Sequence, residues 1–318
     1  VIRTVGLLTR PPDANGHLDP TSAAIRDALL QGYKVALLEG GADLPEQLHR
    51  SPIDLIFNNF SGEGNRRHQA AVCALMDLME VPYTGSDYRA HIIGLHKDLA
   101  KKIFDYHDIK TPTFVIVDNL SQTELARKLS PPLFVKPVAE GSSTGIGPDS
   151  VVYDHRQLVT SVRKVLREYN QPALVEQYID GREFSIGVLG NEPPTALPPV
   201  EISFAPTQGF YTHRIKMGDA AQTREATDLD PKLHQEMADL AVSAFRAVGC
   251  QDYARVDVRV DSNGAAHILE INTLPGLRPG FSDFPKAAVA AGMSYGEMVH
   301  NIVRLCLQRH ADPARASS

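Results

Sequence analysis

The chain has 318 residues, of which 43% are hydrophobic and 22% charged, and a net charge of −6. That length exceeds one minimal core and predicts two or three compact units of an ordinary globular protein. No basic tract offers a footprint for nucleic acid, and no apolar run is long enough to cross a membrane, so neither is expected as a partner.

The first third alternates strand and helix. Residues 1–8 read as the approach to a first strand, Val5–Leu8, and not as a signal peptide. A helix is predicted over Pro20–Gln31 with Asp19 as its N-cap, then strands at Lys34–Leu38 and Ile53–Asn58, and a helix over Gln69–Met79. This rhythm predicts a parallel sheet covered by helices, with a ligand at the strand ends near Thr9–Leu18 and Asn58–Arg67. A second unit starts near His91. It carries a helix over Lys97–Tyr106, a strand at Phe114–Val117, a helix over Ser121–Lys128 opened by a capping box of Ser121 and Glu124, a strand at Leu133–Lys136, a helix over Leu158–Glu168 and a strand at Ala173–Gln177. Strands at Glu183–Val188 and Val200–Ser203 follow, then a long polar stretch, Pro206–Asp230, a helix over Pro231–Val248, two further strands and a last helix over Tyr295–Arg309. The expected units are 1–90, 91–180 and 181–318, and the tail Asp312–Ser318 reads as frayed. Cys73, Cys250 and Cys306 lack metal-ligand spacing and read as buried thiols of a reducing cytoplasm.

Three segments carry chemistry. In the first, Arg255-Val-Asp257-Val-Arg259-Val260 and His267-Ile-Leu-Glu270-Ile-Asn272 flank Asp261-Ser-Asn-Gly264, a hairpin signal. Alternation puts Arg255, Asp257 and Arg259 on one face, and Glu270 with Asn272 on one face. Folding about the turn brings Asp257 roughly opposite Glu270. Carboxylates opposed across a ladder repel, unless a divalent cation with oxygen preference, such as magnesium, lies between them. Alone, the pattern reads equally well as a solvated strand face; the following Thr273-Leu-Pro-Gly276 turn favours a site. In the second, the strand Phe134-Val-Lys136-Pro137 runs into Glu140-Gly-Ser142-Ser143-Thr-Gly-Ile146-Gly147, which could wrap phosphate with N–H groups and hydroxyls or be a plain surface loop. It is not a Walker A loop, because the lysine precedes the glycines. In the third, Leu174-Val-Glu176-Gln177-Tyr-Ile179, with Gly181-Arg-Glu183 after it, offers a strand edge to a base and a carboxylate to a ribose, or is an ordinary exposed strand end.

In this order the segments resemble the D-alanine–D-alanine ligase branch of the ATP-grasp superfamily, from about Ile53 to Arg309. Val81-Pro-Tyr-Thr-Gly-Ser86 with Lys97 is similar to the opening of its central domain. The resemblance implies an α/β ATP-grasp fold, with an N-terminal Rossmann-like parallel-sheet domain and two α+β subdomains that sandwich ATP. It implies that Lys97, Lys136, Glu140, Ser142 and Ser143 bind the ATP phosphates. Glu176, Gln177, Ile179 and Glu183 would grip adenine and ribose, and Phe210 and Lys216 would lie on a mobile loop over the terminal phosphate. Asp257, Glu270 and Asn272 would hold two magnesium ions, or manganese in their place. Arg255 and the backbone of Gly276, with Lys216 and Ser142, would serve catalysis of an acyl-phosphate route to a carbon–nitrogen bond. A cytoplasmic homodimer is implied as well.

The departures lie on the substrate side. Thr9-Arg-Pro-Pro-Asp-Ala-Asn-Gly-His17 lacks the family's glutamate for the first amino acid's ammonium. Asn58–Arg67 replaces its histidine–glycine loop, and Met217 stands in place of a tyrosine that pairs the serine matching Ser142. The loop Leu277–Asp283, with Arg278, Ser282 and Asp283 at the expected substrate side, is one residue longer, and Asp283 falls where an apolar residue faces the second amino acid. With Arg66 and Arg67, these changes predict a larger or more polar substrate pair, as in a secondary-metabolite or dipeptide ligase. The alternatives are a cell-wall D-alanine–D-alanine ligase, or a ligase that adds an amino acid to a mycosporine-type carbonyl. Retention of Asp257, Glu270, Asn272, Lys97 and Lys136 argues against a degenerate ATP-binding regulator, and the absence of paired histidine spacing argues against a metal-dependent hydrolase.

Overall fold

The computed structural model of the chain describes residues 2–62, 65–141, 144–203 and 222–311. Its first sheet is parallel, in the order β2-β1-β3, built from β1 (Thr4–Thr9), β2 (Lys34–Glu39) and β3 (Leu55–Asn58). β1 is buried on both faces, which is why its sequence does not alternate between apolar and polar residues. Helices α1 (Pro20–Leu29), α2 (Leu44–Arg50) and α3 (Arg67–Leu78) follow the strands. As the sequence predicts, Asp19 caps α1, accepting from the N–H groups of Thr21 and Ser22. The strand order reverses at β1, so the loops after β1 and β3 open side by side.

The second sheet is antiparallel, in the order β4-β7-β5-β6: β4 (Phe114–Val117), β5 (Leu133–Pro137), β6 (Val151–Val152) and β7 (Ala173–Gln177). α6 (His155–Glu168) buries Leu158, Val162 and Val165 against it. The third sheet runs β11-β10-β8-β12-β13, with β9 (Thr195–Ala196) on β8 (Gly181–Leu189). Its other strands are β10 (Val200–Ser203), β11 (Gln222–Glu225), β12 (Tyr253–Asp261) and β13 (Ala266–Asn272). Its core is closed by α4 (Tyr88–Leu95), α5 (Lys97–Tyr106) and α7 (Pro231–Val248).

After α8 (Asp283–Ala290), α9 (Tyr295–Ala311) returns to the first sheet. Its Met298, Val299, Ile302, Val303 and Cys306 share one core with Val5, Leu7, Ile25, Leu29, Leu55 and Phe57. A buried ion pair fixes that return: the Arg309 guanidinium lies 3.0 Å from Asp252 and donates to the carbonyl of Tyr83, while Asp252 accepts from the Gly85 N–H at 2.8 Å.

The structure departs from the predicted elements in several places. α2, α4 and α8 are too short or too close to a neighbouring helix for a periodic signal to separate them. The segment Leu120–Lys128 is a 3₁₀ helix, and its cap is Asn119, which accepts from Ser121, so Ser121 does not open a capping box. Part of the long polar stretch is β11, an edge strand paired with β10. The remainder of that stretch from 206 to 221, and the tail from Asp312, lie outside the described residues. The three cysteines are buried free thiols.

Candidate active site

A cleft between the second and third sheets encloses about 770 Å³ of empty space, part of it open to solvent. Lys97 reaches it from α5, Lys136 from β5, Glu176 and Gln177 from β7, and Ile179 from the crossing to β8. Glu183 comes from β8, Asp257 and Arg259 from β12, and Leu269 and Glu270 from β13. Glu140, Thr144 and Ile146 close it on the loop side. Nine of the residues expected at a nucleotide and metal site therefore line one cavity. Ser142, Ser143, Phe210 and Lys216, and the Met217 departure, lie outside the described residues.

The two acidic groups meet through an irregularity. Near the hairpin turn, Val260 pairs with Ala266 and Val258 with Ile268. Continued regularly, that register would set Asp257 opposite Leu269. A β-bulge between Asp257 and Val258 shifts it by one, so Asp257 faces Glu270 and Arg255 faces Asn272. The bulge also turns the adjacent Leu269 and Glu270 into the same cleft, where strict alternation would send one into the core.

Cations hold these carboxylates. Arg255 forks onto Asp257, with Nε–Oδ1 and Nη2–Oδ2 both at 2.9 Å, and Ser185 Oγ donates to Oδ1 at 3.2 Å. Lys97 Nζ lies 3.4 Å from Glu270 Oε2 and donates to the carbonyl of Glu140. Burial lowers the Lys97 pKa, and the charges of Lys136 and Arg66 push the same way against the attraction of Glu270. Asn272 Nδ2 donates to Asp257 Oδ2 at 3.0 Å. A half-turn of that amide presents its oxygen instead, which completes a set of hard oxygen donors suited to magnesium. Among the described residues no three His, Cys, Asp or Glu side chains converge, so the candidate oxygen donors here are this pair of carboxylates and the amide.

Deeper in the cleft, Glu176 is only 2% exposed and is shared by two lysines: Lys136 Nζ lies 2.6 Å from Oε1 and Lys101 Nζ 2.8 Å from Oε2. Burial alone would raise the Glu176 pKa, but the two ammonium groups overcome it and lower it. Its carboxylate therefore holds two lysines at the cleft, a pairing beyond the expected grip on adenine or ribose. Glu183 pairs with Arg259 at 2.9 Å, and burial, with the nearby Asp257 and Glu270 charges, still raises its pKa. Arg259 also lies over the Tyr178 ring, 5.2 Å from its centroid, and Tyr178 stacks on Phe134. Lys101, Arg259, Tyr178 and Phe134 were missed in the sequence as site residues. Lys101 had a readable signal: Lys97, Ala100, Lys101 and Phe104 fall on the single buried stripe of α5, where a lysine needs a buried partner.

Beyond the carboxylates, the turn after β13 is held from behind. His91 Nδ1 lies 2.7 Å from Thr273 Oγ1 and 2.9 Å from Gln69 Nε2, and its Nε2 is buried without a hydrogen-bond partner. Burial drops the imidazole pKa to about 4. Gly276 packs against Ser282, whose Oγ accepts from the Arg278 N–H at 3.2 Å. Arg278 is exposed and lies over the Phe281 ring, while Asp283 is buried in the first turn of α8 with its charge acting on Arg255.

The family model described as D-ala D-ala ligase C-terminus matches residues 95–304. A D-alanine–D-alanine ligase of Syntrophotalea carbinolica is 36% identical over 286 residues, 89% of each chain. One from Pelotomaculum thermopropionicum is 32% identical over 299 residues, 91% of each chain. The fold superposes on a D-alanine–D-alanine ligase from Bacillus anthracis complexed with ATP with a TM-score of 0.78, at 23% identity, covering 97% of this chain and 98% of that one. The ATP-grasp architecture expected from the sequence is thereby established. Among the described residues no helix is long and apolar enough to cross a membrane.

Proposed function

Because the chain belongs to the D-alanine–D-alanine ligase family, whose members are ATP-dependent carbon–nitrogen ligases, we propose that it joins two amino acids of the D-alanine class through an acyl phosphate. The observation that carries this reading is the bulged register that sets Asp257 against Glu270, with Lys97 beside them, in the cleft between the second and third sheets.

ATP lies with its nucleoside toward Tyr178, Ile179, Glu183 and Arg259, and its phosphates toward Lys97, Lys136 and the loop that begins at Glu140. Magnesium held by Asp257, Glu270 and Asn272 would neutralise phosphate charge during transfer. Glu176 keeps Lys136 oriented, and Arg255 keeps Asp257 aimed. The first substrate's carboxylate takes the γ-phosphoryl group, the second's amine attacks the acyl carbon, and phosphate leaves. The Arg255 guanidinium and the Gly276 backbone face the oxygen charge that develops. Such a site works by fixed charge and position, which suits its buried, cross-paired side chains.

Relatives that span about nine-tenths of both chains carry the D-alanine–D-alanine ligase name, and they weigh against the secondary-metabolite or mycosporine-type reading of the sequence. One observation still favours a more polar second substrate: the buried carboxylate of Asp283 beside Arg255. The test is ADP release with D-alanine alone and with pairs of amino acids, with products weighed by mass spectrometry. A D-alanyl-D-alanine product supports the main reading. Turnover only with a polar partner transfers support to the second, and no turnover with any amino acid refutes both. The family's homodimer is carried over as part of this proposal, and sedimentation velocity tests it.

A further inference from the structure

Two residues of α4 are costly where they stand, and both face Thr273. Gly94 lies inside the helix, where glycine is a poor helix former. A Cβ there would lie 2.7 Å from Thr273 Cγ2 and 3.2 Å from its Oγ1, so the missing side chain lets α4 press onto the chain just after β13. His91, three residues earlier and so on the same face, is wholly buried, and its Nε2 meets no hydrogen-bond partner. An orphaned polar atom in a core costs free energy that an apolar side chain of similar size does not. What the imidazole gains is at Nδ1, 2.7 Å from Thr273 Oγ1 and 2.9 Å from Gln69 Nε2.

The three residues come from three parts of the fold. Gln69 is in the first turn of α3, just after the loop that leaves β3, His91 is in α4, and Thr273 follows the last residue of β13. None is more than 5% exposed. Thr273 directly follows Asn272, which faces Arg255 across the ladder, and leads through the turn to Gly276. Displacing Thr273 therefore moves an oxygen donor on one side and, on the other, the backbone assigned to the developing oxygen charge. The nucleoside end of the cleft is built on β7, β8 and Arg259 of β12, and none of the three residues lines it.

We propose that His91 is a positioning residue for the acyl transfer: it holds Thr273 so that Asn272 and Gly276 keep the spacing the reaction needs, and Gln69 steadies the imidazole from the first sheet's side. This rests on the reading of the site as a ligase. The test is ADP release at saturating ATP and magnesium with the amino acid pair that the unaltered protein joins. It is run beside calorimetric ADP affinity without magnesium, at a temperature where urea titration shows each variant folded. The variants are His91→Leu, His91→Asn, Thr273→Val and the His91→Leu/Thr273→Val double variant. Asparagine puts an amide where Nδ1 stands, and valine keeps the shape of Thr273 without its hydroxyl. Expected is a fall in kcat of about tenfold or more in His91→Leu, since a misplacement of about 1 Å can cost a hundredfold. ADP affinity should stay as it is, because the nucleoside end is untouched. Thr273→Val should reproduce that split, the double variant should add little to it, and His91→Asn should recover most of the rate. Thr273→Val, the milder change, decides the matter if His91→Leu does not fold. An unchanged kcat in Thr273→Val, a loss of ADP affinity in step with kcat, or a His91→Asn rate no better than that of His91→Leu overturns the inference and leaves the ligase reading standing. Failure of the unaltered protein to join any amino acid pair overturns that reading and the inference with it.

Discussion

Glu176→Gln tests the charge balance of the cleft most directly. The substitution keeps size and shape but leaves Lys101 and Lys136, 1% and 5% exposed, without the carboxylate that lies 2.8 and 2.6 Å from their ammonium groups. Breaking a buried pair from one side costs about 3–5 kcal/mol. A second limit comes from proton loss. Lys101, already lowered by burial and by the neighbouring Lys136, can deprotonate in the variant, and carrying a lysine from its ordinary range to neutrality at pH 7 costs about 1.4 kcal/mol per pH unit, or roughly 5 kcal/mol. The two limits agree. A neutral lysine in the folded variant binds fewer protons than in the unfolded chain, so stability must rise as pH rises, up to the unfolded lysine pKa. Urea denaturation should therefore show a deficit of about 3–5 kcal/mol at pH 7 that narrows by pH 9. A second substitution, Lys101→Met, should recover much of it. A deficit below about 1 kcal/mol, or one that does not narrow with pH, would refute the idea that Glu176 balances two buried lysines.

Asp257→Asn should lower turnover about a hundredfold or more and raise the magnesium concentration needed for half-maximal ADP release; an unchanged magnesium dependence counts against the assigned donor set. His91 is buried and neutral, with a folded pKa of about 4, so it stabilises the fold above its unfolded pKa near 6.5 and loses that contribution as pH falls toward 4. Between pH 7 and pH 5 the protein should lose about 2 kcal/mol that His91→Gln does not lose, read from paired urea titrations. Arg309→Met leaves the fully buried Asp252 carboxylate without its cation and should cost about 3–5 kcal/mol, with hydrogen exchange accelerated first around Tyr83–Gly85; protection unchanged there would disprove the tie.

Much of this site was legible before any coordinates because its chemistry is carried by strands and their ends. Lys136, Glu176, Glu183, Asp257, Glu270 and Asn272 sit on short runs whose period of two states which way each side chain faces. Helices of ordinary length, such as Lys97–Tyr106 and Pro231–Val248, were readable to the residue for a similar reason: one apolar stripe and, for Pro231–Val248, a proline at its start and Gly249 at its end. What escaped was pairing across the sequence. Lys101 and Glu176 are 75 positions apart, and Arg259 and Glu183 are 76 apart, and a charge on a buried face does not name its partner. Glu176 was read for the nucleotide alone, without the two lysines it pairs with. Arg66 could be singled out as an extra cation, but not placed against Gly141, where its guanidinium lies, because the reach of its loop is set by how two sheets pack.

The bulge at Leu269 makes β13 a strand with two reading frames. From Ala266 to Ile268, even-numbered residues point to the core; after Leu269 the odd-numbered Ile271 does. A one-residue deletion at this point would not simply shorten the strand. It would restore a single frame and leave only one residue to occupy the place opposite Asp257 that the bulge now lets two share. Substitutions of Leu269 that keep its backbone are therefore far less consequential than its removal. The position is defined by being extra to the ladder.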